Sequence, residues 1–322
     1  MITRIEALHF RCLRHISQAL ERFHVLVGPN ASGKTTFLDV IAFLGRLVSD
    51  GLEAAVGERT QNFRDLVWGR SGTAFELAIE VRIPEAIRTQ VARGGFDTIR
   101  YEIGLGLDPQ TGETGFRAET VSLKVERPAL RQLTLLDTFP DSVEPPPTIL
   151  EGTRGRGGDS QIVINKVPGG NDNFYSETYR EEGKGWVPAY KLGPRRSALA
   201  NLPEDETRFP VATWLKELLS GGIEQLVLNS LSIRKASPPG KGLKLQGDGS
   251  NLPWVAADLA ARHSDRFDEW IAHLRTALPD LRGIRTVERE KDLSRRSSAW
   301  CANRAPRHST LVLHNSGWPG RR

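Results

Sequence analysis

The chain opens on a polar stretch punctuated by Ile2, Ile5, Leu8 and Phe10, a strand-like pattern. His24-Val25-Leu26-Val27 is a short apolar run that ends at Gly28, and it predicts a buried strand of a mixed or parallel sheet. The period then changes. Phe37, Ile41, Leu44 and Leu47 mark one face of a helix from about Lys34 to Ser49. From Phe75 to about Val125 the pattern returns to strands, with alternation over Phe75–Val81 and Thr98–Ile103. Asp108-Pro109-Gln110-Thr111-Gly112 supplies a turn, Pro fixing one dihedral and Gly permitting a positive one. Residues 138–172 carry Pro145-Pro146-Pro147 and several glycines, and predict a loop or insertion. Helical spacing resumes at Val211, Trp214, Leu215, Leu218 and again at Phe267, Trp270, Ile271, Leu274, with Ser264 a candidate N-cap for the second. No internal repeat is visible.

One segment between the second strand and the first helix carries chemistry. Gly28-Pro29-Asn30-Ala31-Ser32-Gly33-Lys34-Thr35-Thr36 fits G-x-x-x-x-G-K-[ST], the P-loop. The glycines let several backbone N–H groups turn toward one phosphate chain, and the helix that follows presents its free N–H groups and dipole to the same anion. Lys34 is the candidate charge for the β- and γ-phosphates. The Thr35 hydroxyl is the candidate Mg²⁺ ligand, and Thr36 a hydrogen-bonding group near the α-phosphate. The expected ligands are therefore a nucleotide and Mg²⁺.

Composition and charge narrow the classes. Among 322 residues, 39% are hydrophobic and 26% charged, which excludes a disordered chain or a fibre. Two cysteines cannot frame a disulfide scaffold, so a reducing, cytoplasmic setting is expected. No apolar run reaches the roughly 18 residues of a membrane span, and Met1–Glu6 lacks a signal-peptide layout. The net charge of +5 is unevenly placed. Residues 291–322 hold seven Lys and Arg against the single acid Asp292, whereas the preceding 290 hold 37 basic and 38 acidic side chains. The body is neutral, so the charge is weak evidence for a nucleic-acid surface. Its plainest reading is a solvated basic tail.

The order strand, Phe10-Arg11, strand, then Val27-Gly28-Pro29-Asn30-Ala31-Ser32-Gly33-Lys34-Thr35-Thr36-Phe37-Leu38-Asp39 resembles the start of RecF/SMC/OLD-type ATPases, an ABC-like branch of P-loop proteins. Leu192-Gly193-Pro194-Arg195-Arg196-Ser197-Ala198-Leu199 and Asp248-Gly249-Ser250-Asn251-Leu252 are similar to a bacterial subgroup of predicted AAA-family ATPases close to the OLD proteins. The resemblance covers about residues 1–290. It implies ATP binding and hydrolysis coupled to dimerisation of two heads, with DNA or a second subunit as possible partners, in DNA maintenance or anti-phage defence. It also implies Arg11 near the nucleotide, with a surface arginine as the alternative, and offers Gln61 as a Q-loop residue.

Hydrolysis in such proteins needs an acidic pair after an apolar strand, a signature Ser-Gly segment and a switch His. No four apolar residues are followed by Asp-Glu. Leu133-Thr134-Leu135-Leu136-Asp137 comes too early and lacks the Glu. Asp268-Glu269 falls within a predicted helix, so a solvated face is expected. Leu219-Ser220-Gly221-Gly222 resembles a signature but predicts a helix C-cap. His308-Ser309 lacks a preceding apolar strand. Residues from about 291 are aperiodic apart from Leu311-Val312-Leu313, and are expected to be a frameshifted or otherwise aberrant end.

The expected fold is α/β: a P-loop NTPase core with an inserted, largely antiparallel β portion and C-terminal helices. Its expected parts are 1–137, a P-loop lobe with the β-rich portion; 138–172, a loop or insertion; 173–290, the rest of the core; and 291–322, the basic tail. The expected function is that of an ATP-binding protein with weak or no hydrolysis of its own. The alternatives are a non-catalytic nucleotide-binding module that works through a partner, and a nucleic-acid-binding protein led by its tail.

Overall fold

The computed structural model describes residues 1–91, 95–125, 144–152, 160–178, 189–288 and 295–301. The chain divides into two compact units, Met1–Ile223 and Glu224–Arg322. The boundary falls inside the stretch 173–290.

The first unit is built on an eight-stranded sheet. Its strands are β1 (Ile2–Phe10), β2 (Leu13–Ala19), β3 (Ala74–Arg82), β4 (Thr98–Leu107), β5 (Thr114–Lys124), β6 (Ser160–Lys166), β7 (Asp172–Phe174) and β8 (Ala189–Tyr190). They lie in the order β2-β1-β3-β4-β5-β6-β7-β8, and every described pairing is antiparallel. Strand alternation gives the sheet two unlike faces. Phe75, Leu77, Ile79, Val81, Ile99, Tyr101, Ile103 and Leu105 are buried on one. Helix α1 (Lys34–Asp50) lays Phe37, Val40, Phe43, Leu44 and Leu47 against that side. The Phe10, Phe43 and Phe75 rings meet there at centroid distances of 5.0–5.8 Å. Helix α4 (Pro210–Gly221) packs on α1 at Gly45, where a Cβ would stand 2.8 Å from the Leu219 carbonyl oxygen; only glycine permits that approach.

The other face is charged and covered. Arg100 is 2% exposed, and its guanidinium donates to Glu6 at 2.6 Å, to Glu102 at 2.9 Å and to the Ile149 carbonyl at 2.8 Å. Residues 148–152 lie across this face because Glu76 accepts from the Ile149 N–H, and Glu102 from the Glu151 and Gly152 N–H groups. A buried guanidinium is tolerable here because its donors have anionic or carbonyl acceptors.

Three expectations need correction. His24–Val27 forms no strand: Val25 and Val27 are 61% and 88% exposed, and no described strand pairs with them. An isolated apolar run gains no ladder hydrogen bonds, and among the described residues the sheet ends at β2 with no strand paired beyond it. Within 138–172, Ser160–Lys166 is a strand paired to β5, with Val163 and Ile164 fully buried; its glycine-rich surroundings hide it. In the basic tail, β10 (Arg295–Cys301) pairs antiparallel with β9 (Leu281–Glu288), so these residues are not irregular. Leu133–Asp137, His308-Ser309 and Leu311–Leu313 lie outside the described residues.

The second unit also contains helices α6 (Leu252–Arg262) and α7 (Ser264–Ala277). Asn251, fully buried, accepts from the Gln246 N–H and donates to the Gly242 and Lys244 carbonyls, so the Asp248–Leu252 segment organises a loop ahead of α6. Asp268 and Glu269 are exposed on α7, the solvated face expected of them. Among the described residues, no helix is long and apolar enough to cross a membrane.

Candidate functional site

Residues Gly28–Gly33 form an exposed turn that runs directly into α1. Gly33 stands at φ 90°, ψ 2°, a left-handed conformation that strains any residue with a Cβ. A Cβ there would also meet Leu13 at 3.3 Å and the Cys12 thiol at 3.4 Å. Ala31 adopts φ 65° in the same turn. The Lys34 ammonium curls back to donate to the Gly28 carbonyl at 2.8 Å and the Pro29 carbonyl at 2.6 Å, with Ser32 Oγ at 3.3 Å. Thr35 is exposed, whereas Thr36 is buried and its hydroxyl accepts from the Cys12 thiol at 3.2 Å.

The start of α1 has free capacity for an anion. Its first turn carries no acidic side chain, and no side chain caps its N–H groups. The loop residues fit a phosphate chain with its cation: glycine where the backbone must come close, a lysine within reach, and an open threonine hydroxyl. Among the described residues, no group of three His, Cys, Asp or Glu side chains converges as a metal cage.

The β1–β2 turn forms one wall. Arg11, at φ 52°, donates its N–H to the Leu66 carbonyl at 2.8 Å and its guanidinium to Asp39 of α1 at 2.7 Å. Asp39 also takes Arg59 at 2.6 Å. The structure thus brings Arg11 beside the first turns of α1. Gln61 lies elsewhere, on the rim of a cavity of about 400 Å³ shared with Leu52, Val56, Thr60, Thr114 and Arg195.

Arg195 belongs to the segment Leu192–Leu199, whose last three residues are gathered on one carboxylate. Glu119 of β5 is fully buried, and its carboxylate accepts from Ser197 Oγ at 2.6 Å, from the Ala198 N–H at 2.6 Å, from the Leu199 N–H at 3.2 Å and from Tyr101 Oη at 3.0 Å. Burial pushes its pKa up, against the four hydrogen bonds that pull it down. Glu177 does the same for α4, accepting from the Val211 and Ala212 N–H groups at 2.6 and 2.9 Å. Burial raises its pKa from 4.5 to about 7. Sequence reading missed both carboxylates, since nothing local marks a glutamate whose partners lie 18–80 residues away. Ser220-Gly221-Gly222, the signature look-alike, ends α4, with the Gly222 N–H bonded to the Leu218 carbonyl.

The loop motif and the family match together make this a P-loop, nucleotide-binding ATPase. A family model described as "AAA domain, putative AbiEii toxin, Type IV TA system" matches residues 23–258, and the chain belongs to that family. Among solved structures, one reported under "Structural biochemistry of ATP-driven dimerization and DNA stimulated activation of SMC ATPases" is 21% identical over 36% of this chain and 67% of that chain, with a TM-score of 0.27. No curated protein matches.

Proposed function

We propose that the chain binds ATP with Mg²⁺ at Gly28–Thr36 and serves as the nucleotide-binding head of a dimer. The carrying observation is the strained, exposed glycine turn that hands an uncapped helix start to Lys34. The two carbonyls now holding the ammonium are acceptors that phosphate oxygens replace, so Lys34 exchanges neutral partners for charged ones when nucleotide binds. Gly33 keeps the backbone close, the Thr36 hydroxyl is held ready by Cys12, and Thr35 is placed to hold Mg²⁺, which would offset charge on the phosphate oxygens.

Turnover by this chain alone is proposed to be weak. The one adjacent Asp-Glu pair in a helical setting, Asp268-Glu269, belongs to the solvated face of α7 and not to a strand end. Dimerisation, with DNA maintenance or phage defence as the setting, follows from the family likeness.

Calorimetric titration of the full chain with MgATP tests the binding. Lys34→Ala should weaken it about a hundredfold, the scale of a charged hydrogen-bonding anchor lost from a phosphate site. Equal affinity in parent and variant would sink the assignment of the loop. An ATPase rate abolished by the same variant would show that hydrolysis is not weak.

A further inference from the structure

The tip of the β1–β2 hairpin steps along α1 one residue per turn. Leu13 lies 3.3 Å from where a Gly33 Cβ would stand, the Cys12 thiol donates to Thr36 Oγ1 at 3.2 Å, and the Arg11 guanidinium donates to Asp39 at 2.7 Å. Gly33, Thr36 and Asp39 are three apart, so they share one face of the helix and its entry. Arg11 is fixed at its backbone by the Leu66 carbonyl, but its side chain is 41% exposed and spends one N–H on Asp39. Asp39 has a second, firmer partner. Arg59 meets it from Nε at 2.9 Å and from Nη2 at 2.6 Å, and both of these side chains are largely buried. Arg59 also donates to the Ala55 carbonyl at 2.9 Å and lies over the Phe43 ring.

One carboxylate therefore holds two guanidiniums of unequal commitment. If Arg11 leaves, Asp39 is still paired, so no buried charge is stranded. The Arg11 backbone stands next to the residue that touches Thr36, and its arm runs from there one turn down α1, about 4.5 Å. In another rotamer the same arm has the length to run one turn up, to the Gly33–Lys34 end. A phosphate chain at that end is a multiply charged competitor for a guanidinium. We propose that Asp39 is a positioning residue of the nucleotide site: it withholds Arg11 while the loop is empty and yields it to the phosphate chain, with Arg59 keeping the carboxylate paired. This deepens, and rests on, the P-loop reading above. Asp39 on this account lowers nucleotide affinity, since every binding event must first break an ion pair.

The test is calorimetric titration of the full chain with MgATP across a double-mutant cycle. Asp39→Asn should tighten binding about fivefold, the scale of one half-exposed ion pair released. Arg11→Ala should weaken it about tenfold, and adding Asp39→Asn to Arg11→Ala should then change it by less than about twofold. A merely structural aspartate gives no gain in affinity when it is removed. Affinity in Asp39→Asn at or below the parent's would overturn the proposal. So would an equal tightening without Arg11, which would be bare repulsion relieved. Should Asp39→Asn fail to fold, the Arg11 Nε–H resonance of the parent, identified with Arg11→Lys, decides: it should shift on adding MgATP, and a resonance that stays put overturns the withholding. No MgATP binding by the parent, or binding unchanged in Lys34→Ala, would instead overturn the P-loop reading, leaving the two failures distinct.

Discussion

Helices α1 and α4 pack on one another, and their starts solve the same electrostatic problem in opposite ways. Each presents backbone N–H groups with no partner inside the helix. At α4 the protein supplies its own acceptor: the Glu177 carboxyl sits on the Val211 and Ala212 N–H groups. The segment Ser197–Leu199 is treated likewise by Glu119. At α1 no carboxylate is provided, the preceding turn is exposed, and Lys34 rests on its own loop carbonyls. The internal carboxyls accept from backbone N–H groups, as a phosphate chain would at a P-loop. On the proposed reading, the α4 start is closed from within and the α1 start is the one left for a ligand.

Removing an internal carboxyl gives the strongest test of that contrast. Glu119→Ala strands two buried N–H groups and two hydroxyls, and should cost about 4 kcal/mol in denaturant unfolding. The loss should appear in stability first, with nucleotide affinity per folded molecule little changed. If the variant were as stable as its parent, Glu119 would not be what holds Ser197–Leu199.

Protonation sharpens the contrast further. The folded pKa of Glu177 is raised from 4.5 to about 7 by burial. A carboxyl whose pKa is raised on folding favours the fold in its protonated form. Its contribution is therefore complete below pH about 4.5 and is lost as pH climbs to about 7. The expected loss across that window is about 3 kcal/mol. Glu119 is shifted in the same direction by burial, so it adds to the slope and does not cancel it. Unfolding measured from pH 5 to 8 should show stability falling, and Glu177→Gln should flatten the curve. A slope untouched by that variant would remove Glu177 as its source.

Both carboxylates were beyond the reach of sequence reasoning, for a physical reason. Helix α1, β3, β4 and α4 are written in local periodicity, and the P-loop in fixed spacing, so these could be read residue by residue. A buried glutamate is defined by partners dozens of residues away, and nothing in a strand sequence distinguishes it from a solvated one. His24–Val27 failed in the reverse sense. It has the composition of a buried strand, but a strand is made by its neighbours, and those pairings are not local. Arg11 was legible only through family likeness, and its geometry, bonded to Asp39, agrees with a place beside α1.

The smallest expected effect belongs to the acids that carry no such duty. Asp268 and Glu269 stand on the exposed side of α7, where carboxylates keep their water and hold no helix start. The double variant Asp268→Ala, Glu269→Ala should shift stability by less than about 0.5 kcal/mol and leave MgATP titrations superimposable on the parent's. The comparison with Glu119 and Glu177 turns on this null effect. If charge anywhere on a helix governed stability or nucleotide affinity here, the α7 pair should register as well. Only carboxylates placed on otherwise orphaned N–H groups should do so. A marked fall in ATP affinity on removing Asp268 and Glu269 would give this pair a role at the nucleotide that its solvated helix face does not suggest.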